Sequence, residues 1–208
     1  ALEDGLTPAT LVEDEPMDNR SVMVGGREGI LGEWGMEVPA PVYEGQIPLR
    51  KALEKSKIAA TVRLTDVTGL QRVVDLASAF GFPLQKAELL RRIAVGFEEV
   101  SMKQAVRAMS AFPLGGEIGP EELIYIDRVE DSTGRVVYRR PRTTRPTRPV
   151  IDPATAWQVH DMMAGSLDHG SSRGALDGLV EKPFPGAGKG GTTHDFGDCW
   201  FLGYNARV

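Results

Sequence analysis

Apolar positions recur at helical spacing through the first half of the chain. Leu49, Ala52, Leu53 and the small Ser56 fall at i, i+3, i+4 and i+7. That spacing predicts a helix from Pro48 to Leu64, with Pro48 suited to a first helical turn. Leu70, Val73, Val74, Ala77 and Phe80 form the stripe of a second helix over 68–80, which Gly81 stops. A third covers about Lys86–Val95. A fourth opens at Ser101, where Ser101 and Gln104 make a capping-box pair. It carries Ala105, Ala108 and Met109 and ends before Pro113.

The period then changes to two. Leu123–Val129 reads as a strand, Asp131–Gly134 as a turn and Arg135–Tyr138 as the return strand, a hairpin within 121–140. Asp152 and Pro153 supply an N-cap and a first-turn proline for a helix that stops near Gly170. Its Trp157, Met162 and Met163 are expected in the core rather than around a cofactor. The last forty residues are rich in glycine and mix tight turns with one apolar strand, Cys199–Tyr204. Residues 1–47 are loop-rich, with Gly25, Gly26, Gly29, Gly32 and Gly35 breaking any periodicity. Helices over 48–113, a hairpin, then a helix and strand over 152–208 make the fold class α+β rather than alternating βαβ.

Composition narrows the class. The 208 residues are 41% hydrophobic and 25% charged, which excludes global disorder and a collagen-like fibre. That length suits one domain or slightly more. A net charge of −5 argues against a nucleic-acid partner. The one cysteine, Cys199, can form neither an internal disulfide nor a thiolate zinc site. No apolar run reaches the ~18 residues that a membrane-spanning helix needs, and the N-terminus shows no signal-peptide pattern. Glu3, Asp4, Glu13, Asp14, Glu15 and Asp18 read as a solvated acidic surface rather than a binding tail. Arg139, Arg140, Arg142, Arg145 and Arg148, broken by Pro141 and Pro146, read as an exposed linker rather than an anion-binding patch.

Several motifs fail on context. Gly186-Ala187-Gly188-Lys189-Gly190-Gly191 matches G-x-G-x-x-G by letter, but prolines precede it and a strand-like run follows. A phosphate-binding P-loop would need serine or threonine after Lys189 and glycine at Pro183. His194, Asp195, Asp198 and Cys199 cluster without the spacing of a metal site. Ser166, Asp168 and His169 crowd one helix end, where a hydrolase relay cannot form, and no G-x-S-x-G elbow exists. What remains is Lys189-Gly190-Gly191-Thr192-Thr193 before a predicted strand, and Ser56-Lys57-Ile58 in the earlier helix. Small residues at a strand edge let a peptide backbone approach and add as an extra strand, while the ammonium holds its anionic end.

The run Ala187–Tyr204 resembles the A-G-K-T-G-T-T-x-D-x-x-D-x-W-F-x-G-Y stretch of penicillin-binding transpeptidase domains, and most closely those of class A. Other segments match in order. Ala1–Pro16 resembles the stretch just after the family's catalytic serine, and Pro48–Leu64 the helix carrying its S-x-N motif. Glu99-Val100-Ser101 resembles its E-V-T/S segment, and Asp152–Gly170 its long helix before the K-T-G strand.

The resemblance implies a partial β-lactamase-like transpeptidase fold, a helical lobe plus antiparallel strands, cut at both ends. It implies an acyl transferase that takes the D-Ala-D-Ala end of a peptidoglycan stem peptide, is open to β-lactams, uses no cofactor or metal, and works outside the cytoplasm. Its membrane anchor would lie in a segment absent from the chain. Lys189 then matches the K-T-G lysine, and Ser56 the S-x-N serine as proton shuttle. The Thr192 N–H would serve the oxyanion hole, with Gly190, Gly191 and Thr193 along the substrate.

Three departures accompany the match. No S-x-x-K occurs in the 208 residues, Ile58 stands where the family has asparagine, and Gly190 replaces the K-T-G threonine. The chain alone is therefore expected to be inactive, a piece of a larger transpeptidase. The alternative is a non-catalytic relative that binds peptide or scaffolds cell-wall synthesis. Missing edge strands would leave apolar surface and an open strand at 199–205, free to pair with another chain.

Overall fold

The computed structural model describes residues 1–17, 42–84, 89–96, 98–121, 124–141, 146–179, 185–192 and 197–205. Two short strands, β1 (Leu11–Asp14) and β2 (Gly45–Pro48), pair antiparallel with Val12 opposite Ile47. Residues 1–47 are thus not uniformly loop. β1 alternates exposed Leu11 and Glu13 with buried Val12 and Asp14, the period of a half-buried strand compressed into four residues. Four residues are too few to stand out in a sequence. The acidic segment is also not wholly solvated, because Asp14 is only 2% exposed.

β2 runs directly into α1 (Leu49–Glu54), followed by α2 (Ile58–Thr68) and α3 (Leu70–Ala79). The single helix expected over 48–64 is therefore two helices, split at residues 55–57. The break is a Schellman ending: the Lys57 N–H donates to the Ala52 carbonyl at 2.8 Å, and the Ser56 N–H to the Leu53 carbonyl at 3.1 Å. That geometry needs a left-handed residue, and Ser56 takes it at φ 56°. Glycine is the usual occupant, so a periodicity argument had no marker for the break.

α3 ends where Gly81 adopts φ 97°, as its position implied. Within the stretch expected to be a third helix, Arg91–Val95 is one 3-10 turn and residues 85–88 lie outside the described set. α4 (Met102–Met109) has the expected capping box, with the Gln104 N–H on Ser101 Oγ and the Ser101 N–H on Gln104 Oε1. Of the expected hairpin, β4 (Arg128–Glu130) and β5 (Val136–Arg139) pair, but Ile124–Ile126 are exposed and outside the strand. Flanking this hairpin in the chain, β3 (Glu117–Ile118) pairs with β6 (Arg148–Pro149).

α5 (Pro153–Asp168) starts on its Asp152 cap, which accepts the Ala154 N–H at 2.8 Å. Met162 and Met163 are buried as expected, whereas Trp157 is 64% exposed and belongs to no core cluster. The glycine-rich stretch read as turns forms a seven-residue strand, β7 (Gly186–Thr192), antiparallel to β8 (Cys199–Asn205). Glycine disfavours strands locally, but close packing requires it at Gly188. A Cβ on Gly188 would lie 2.6 Å from the Phe201 ring and 2.9 Å from the Leu202 carbonyl. Ala187 and Tyr204 are buried with Met163 of α5, backed by Leu53, Met109 and Phe112, so this cluster joins α1, α4, α5 and the β7–β8 pair. A second cluster, Val12, Ile47, Ala52 and Ala60, seats the β1–β2 ribbon on α1 and α2. The outer edge of β8 has no strand partner among the described residues, and Trp200 and Phe201 stay partly exposed.

Candidate functional site

Ser56 and Lys189, 133 residues apart, meet at the junction of α1 and β7. Lys189 Nζ donates to Ser56 Oγ at 3.0 Å and to the Gly190 carbonyl at 2.7 Å. Burial pushes the Lys189 ammonium below the ordinary lysine range, and the described residues give it no carboxylate partner. A half-buried cation with no counter-ion among the described residues is poised to receive an anion.

Both sides of the Ser56 turn are anchored. On one side Lys57 Nζ reaches buried Asp14 at 3.0 Å, Glu44 at 3.1 Å and the Val42 carbonyl at 2.6 Å, which uses all three of its donors. Burial works against the charge on Lys57, but the two carboxylates outweigh it and raise its pKa. On the other side the Glu54 carboxylate holds His169 Nε2 at 3.0 Å and Arg50 at 3.4 Å, while Arg50 reaches Asp161 on α5 at 2.6 Å. The Glu54 carbonyl accepts the Ser171 N–H at 2.7 Å. Gly170 makes that approach possible, since a Cβ there would sit 2.2 Å from the Glu54 carbonyl oxygen. The strained φ of Ser56 is held by this surrounding structure.

Ser172 completes the circuit. Its Oγ accepts the Gly190 N–H at 3.0 Å and the Ser166 hydroxyl at 3.1 Å. Because the Gly190 N–H leaves the ladder toward Ser172, that residue faces the free edge of β7. Backbone groups two residues apart in a strand share an edge, so the Thr192 N–H and C=O face it as well. Ser56, Lys189, Gly190 and Thr192 therefore converge on one edge. Gly191 and Thr192 are exposed, and Thr193 lies outside the described residues. Ile58 is the first residue of α2, half-buried beyond the turn.

Glu54, Lys57, Ser171 and Ser172 form no chemical motif in sequence, and only burial and contact single them out. Of the clustered His194, Asp195, Asp198 and Cys199, the first two lie outside the described residues and Cys199 is exposed at the start of β8. Among the described residues, no group of three or more metal-ligating side chains comes together and no helix is long and apolar enough to cross a membrane. A cavity of about 710 Å³ lies between α2, α3 and α4, lined by Leu64, Val73, Leu76, Phe80, Met109 and Phe112. It contains neither Ser56 nor Lys189, and its wall is mainly apolar, with Asp4, Arg72 and Asp75 also lining it.

Comparison with known proteins finds similar sequences and similar folds. The chain is 30% identical to penicillin-binding protein 1A of Neisseria lactamica over 210 residues, covering 100% of the chain and 25% of that protein. It is 28% identical to penicillin-binding protein 1A of Pseudomonas aeruginosa, covering 99% of the chain and 29% of that protein. The chain thus spans only about a quarter of the length of these curated relatives. Among solved structures, penicillin-binding protein 1A of Haemophilus influenzae matches with a TM-score of 0.73 at 19% identity, over 98% of this chain and 34% of that one. An imipenem acyl-enzyme complex of penicillin-binding protein A from M. tuberculosis matches with a TM-score of 0.67 at 20% identity, over 98% of this chain and 48% of that one. These likenesses show the fold, mixed helices and antiparallel strands as in penicillin-binding transpeptidase domains. The sequence pattern described as the penicillin binding protein transpeptidase domain covers residues 1–207, and the chain belongs to that family.

Proposed function

We propose that the chain is the substrate-holding part of a peptidoglycan DD-transpeptidase that works outside the cytoplasm and is acylated by β-lactams. The observation that carries this reading is the 3.0 Å contact between Lys189 Nζ and Ser56 Oγ at the free edge of β7. A stem peptide ending in D-Ala-D-Ala would lie along that edge, adding as a strand. Its terminal carboxylate would face the Lys189 ammonium. The Thr192 N–H would stabilise the oxyanion that develops on the attacked carbonyl. Ser56, already accepting a hydrogen bond from Lys189, would pass its own hydroxyl proton to the departing amine and regain one from the lysine.

The acylated serine is not among these residues, which contain no S-x-x-K. Chain outside them would supply it, together with the membrane anchor. Fluorescent penicillin tests the reading. The 208 residues alone should form no covalent adduct. A longer natural protein carrying them should be labelled, and Lys189→Ala should slow that labelling at least a hundredfold. An unlabelled longer protein would overturn it.

One observation favours a second reading, a non-catalytic member that only binds peptide: Ile58 offers no amide where the family places asparagine. In the longer protein, Ile58→Asn with Gly190→Thr should then raise the acylation rate from near zero. Efficient acylation without those changes would remove this reading.

A further inference from the structure

Gly190 deprives the site of a hydroxyl, and the structure holds another hydroxyl beside it. A Cβ built on Gly190 would lie 3.5 Å from Ser172 Oγ, and that atom already accepts the Gly190 N–H at 3.0 Å. Lys189 Nζ lies on the carbonyl of the same residue at 2.7 Å. In a strand, the N–H and C=O of one residue face the same edge. Ser172 and Lys189 therefore flank one stretch of the free edge of β7, one contributing a hydroxyl and the other a cation.

The hydrogen-bond inventory of Ser172 gives its direction of use. A serine hydroxyl has one donor and two acceptor sites. Both acceptor sites are taken, by the Gly190 N–H and by Ser166 Oγ at 3.1 Å. Its own O–H finds no acceptor among the described residues, although the side chain is only 5% exposed. A buried donor left unspent is costly, and an incoming carboxylate oxygen would satisfy it. The position is rigid. The Ser172 N–H donates to the Ser166 carbonyl at 3.1 Å, and the neighbouring Ser171 N–H to the Glu54 carbonyl at 2.7 Å.

Building on the transpeptidase reading, we propose that Ser172 supplies the carboxylate-binding hydroxyl that Gly190 lacks, so that Lys189 and Ser172 together grip the terminal carboxylate of the peptide. The chain has moved this hydroxyl from the strand to the loop after α5. Ser172 is thus a specificity residue for a free carboxylate end.

The test uses the full 208-residue chain and acetyl-D-alanyl-D-alanine, read by amide NMR shifts at Gly190 and Gly191. The wild type should bind the peptide and bind its C-terminal amide at least tenfold more weakly. Ser172→Ala should weaken peptide binding about tenfold, as loss of a hydrogen bond to a charged group does, and leave amide binding unchanged. Gly190→Thr added to Ser172→Ala should restore most of the loss by returning a hydroxyl to the strand. If Ser172→Ala also disturbs the Met163 and Tyr204 resonances, this rescue decides: recovery supports the proposal and its absence overturns it. Wild-type affinity in Ser172→Ala, with binding still lost in Lys189→Met, would overturn the role of Ser172 and leave the transpeptidase reading standing. No binding by the wild-type chain would overturn both.

Discussion

Ser56 carries two loads, one on its backbone and one on its side chain, and two substitutions separate them. Its φ of 56° puts an L-residue in the left-handed region, which costs about 1–2 kcal/mol. Its hydroxyl takes a hydrogen bond from Lys189 at 3.0 Å, a contribution of about 1 kcal/mol. Ser56→Ala removes the hydrogen bond and keeps the strain, so stability should fall by about 1 kcal/mol. Ser56→Gly removes both. Glycine also adds about 0.4–1 kcal/mol of unfolded-state entropy, which leaves it close to wild type. The glycine variant should therefore exceed the alanine variant by about 1 kcal/mol, or about 2–4 °C in Tm for a chain of this size. Urea denaturation followed by circular dichroism gives both values. An alanine variant as stable as the glycine variant would mean that Ser56 is not strained. The surrounding contacts would then not force this turn. Both variants lack the Ser56 hydroxyl, so any gain in fold stability comes at the site's expense, as expected where strain is stored at a functional position.

Three further outcomes follow from named contacts. Lys57→Met leaves Asp14, 2% exposed, without its cation, and should cost about 3 kcal/mol in urea denaturation, with Asp14→Leu on the same background recovering most of it. The pKa of Lys57 is raised in the fold, so its stabilisation is complete below the unfolded lysine value, about 10.4. It fades as pH climbs through the higher folded value, and the wild-type advantage over Lys57→Met should hold from neutral pH to about pH 10 and shrink beyond. Gly170→Ala would place a Cβ 2.2 Å from the Glu54 carbonyl oxygen and 2.6 Å from the Ser166 Cα. Both are backbone, so about 2 kcal/mol should be lost, whereas Gly190→Thr meets nothing nearer than 3.5 Å at its Cβ and should change the urea midpoint little. Ser101→Ala removes the cap on the Gln104 N–H and should lower stability by about 1 kcal/mol.

The sequence by itself determined what depends on near neighbours. The Ser101 and Gln104 pair, the Asp152 and Pro153 start and the Gly81 stop each act within one or two turns, and each marks an element end as its chemistry implied. The α+β class followed from where the period changes, and the family from several ordered segments that a single motif could not match. Only the tertiary structure decided the rest. The chain splits at Ser56 because Lys57 is drawn to Asp14 on β1 and to Glu44 just before β2, while Glu54 is held by His169 at the end of α5. Residues 186–191 become a strand by pairing with β8, against the local preference of glycine for turns, and at Gly188 the Phe201 ring and the β8 backbone come too close for a side chain. Trp157 lies outside the core because the buried side of α5 runs through Ala156, Met162, Met163 and Ser166. Ser172 showed no signal in the sequence because its importance is a distance, 3.0 Å to a backbone N–H eighteen residues away. Short-range chemistry can be read along the chain. The site is formed by contacts of high sequence separation, and those exist only once the core has closed.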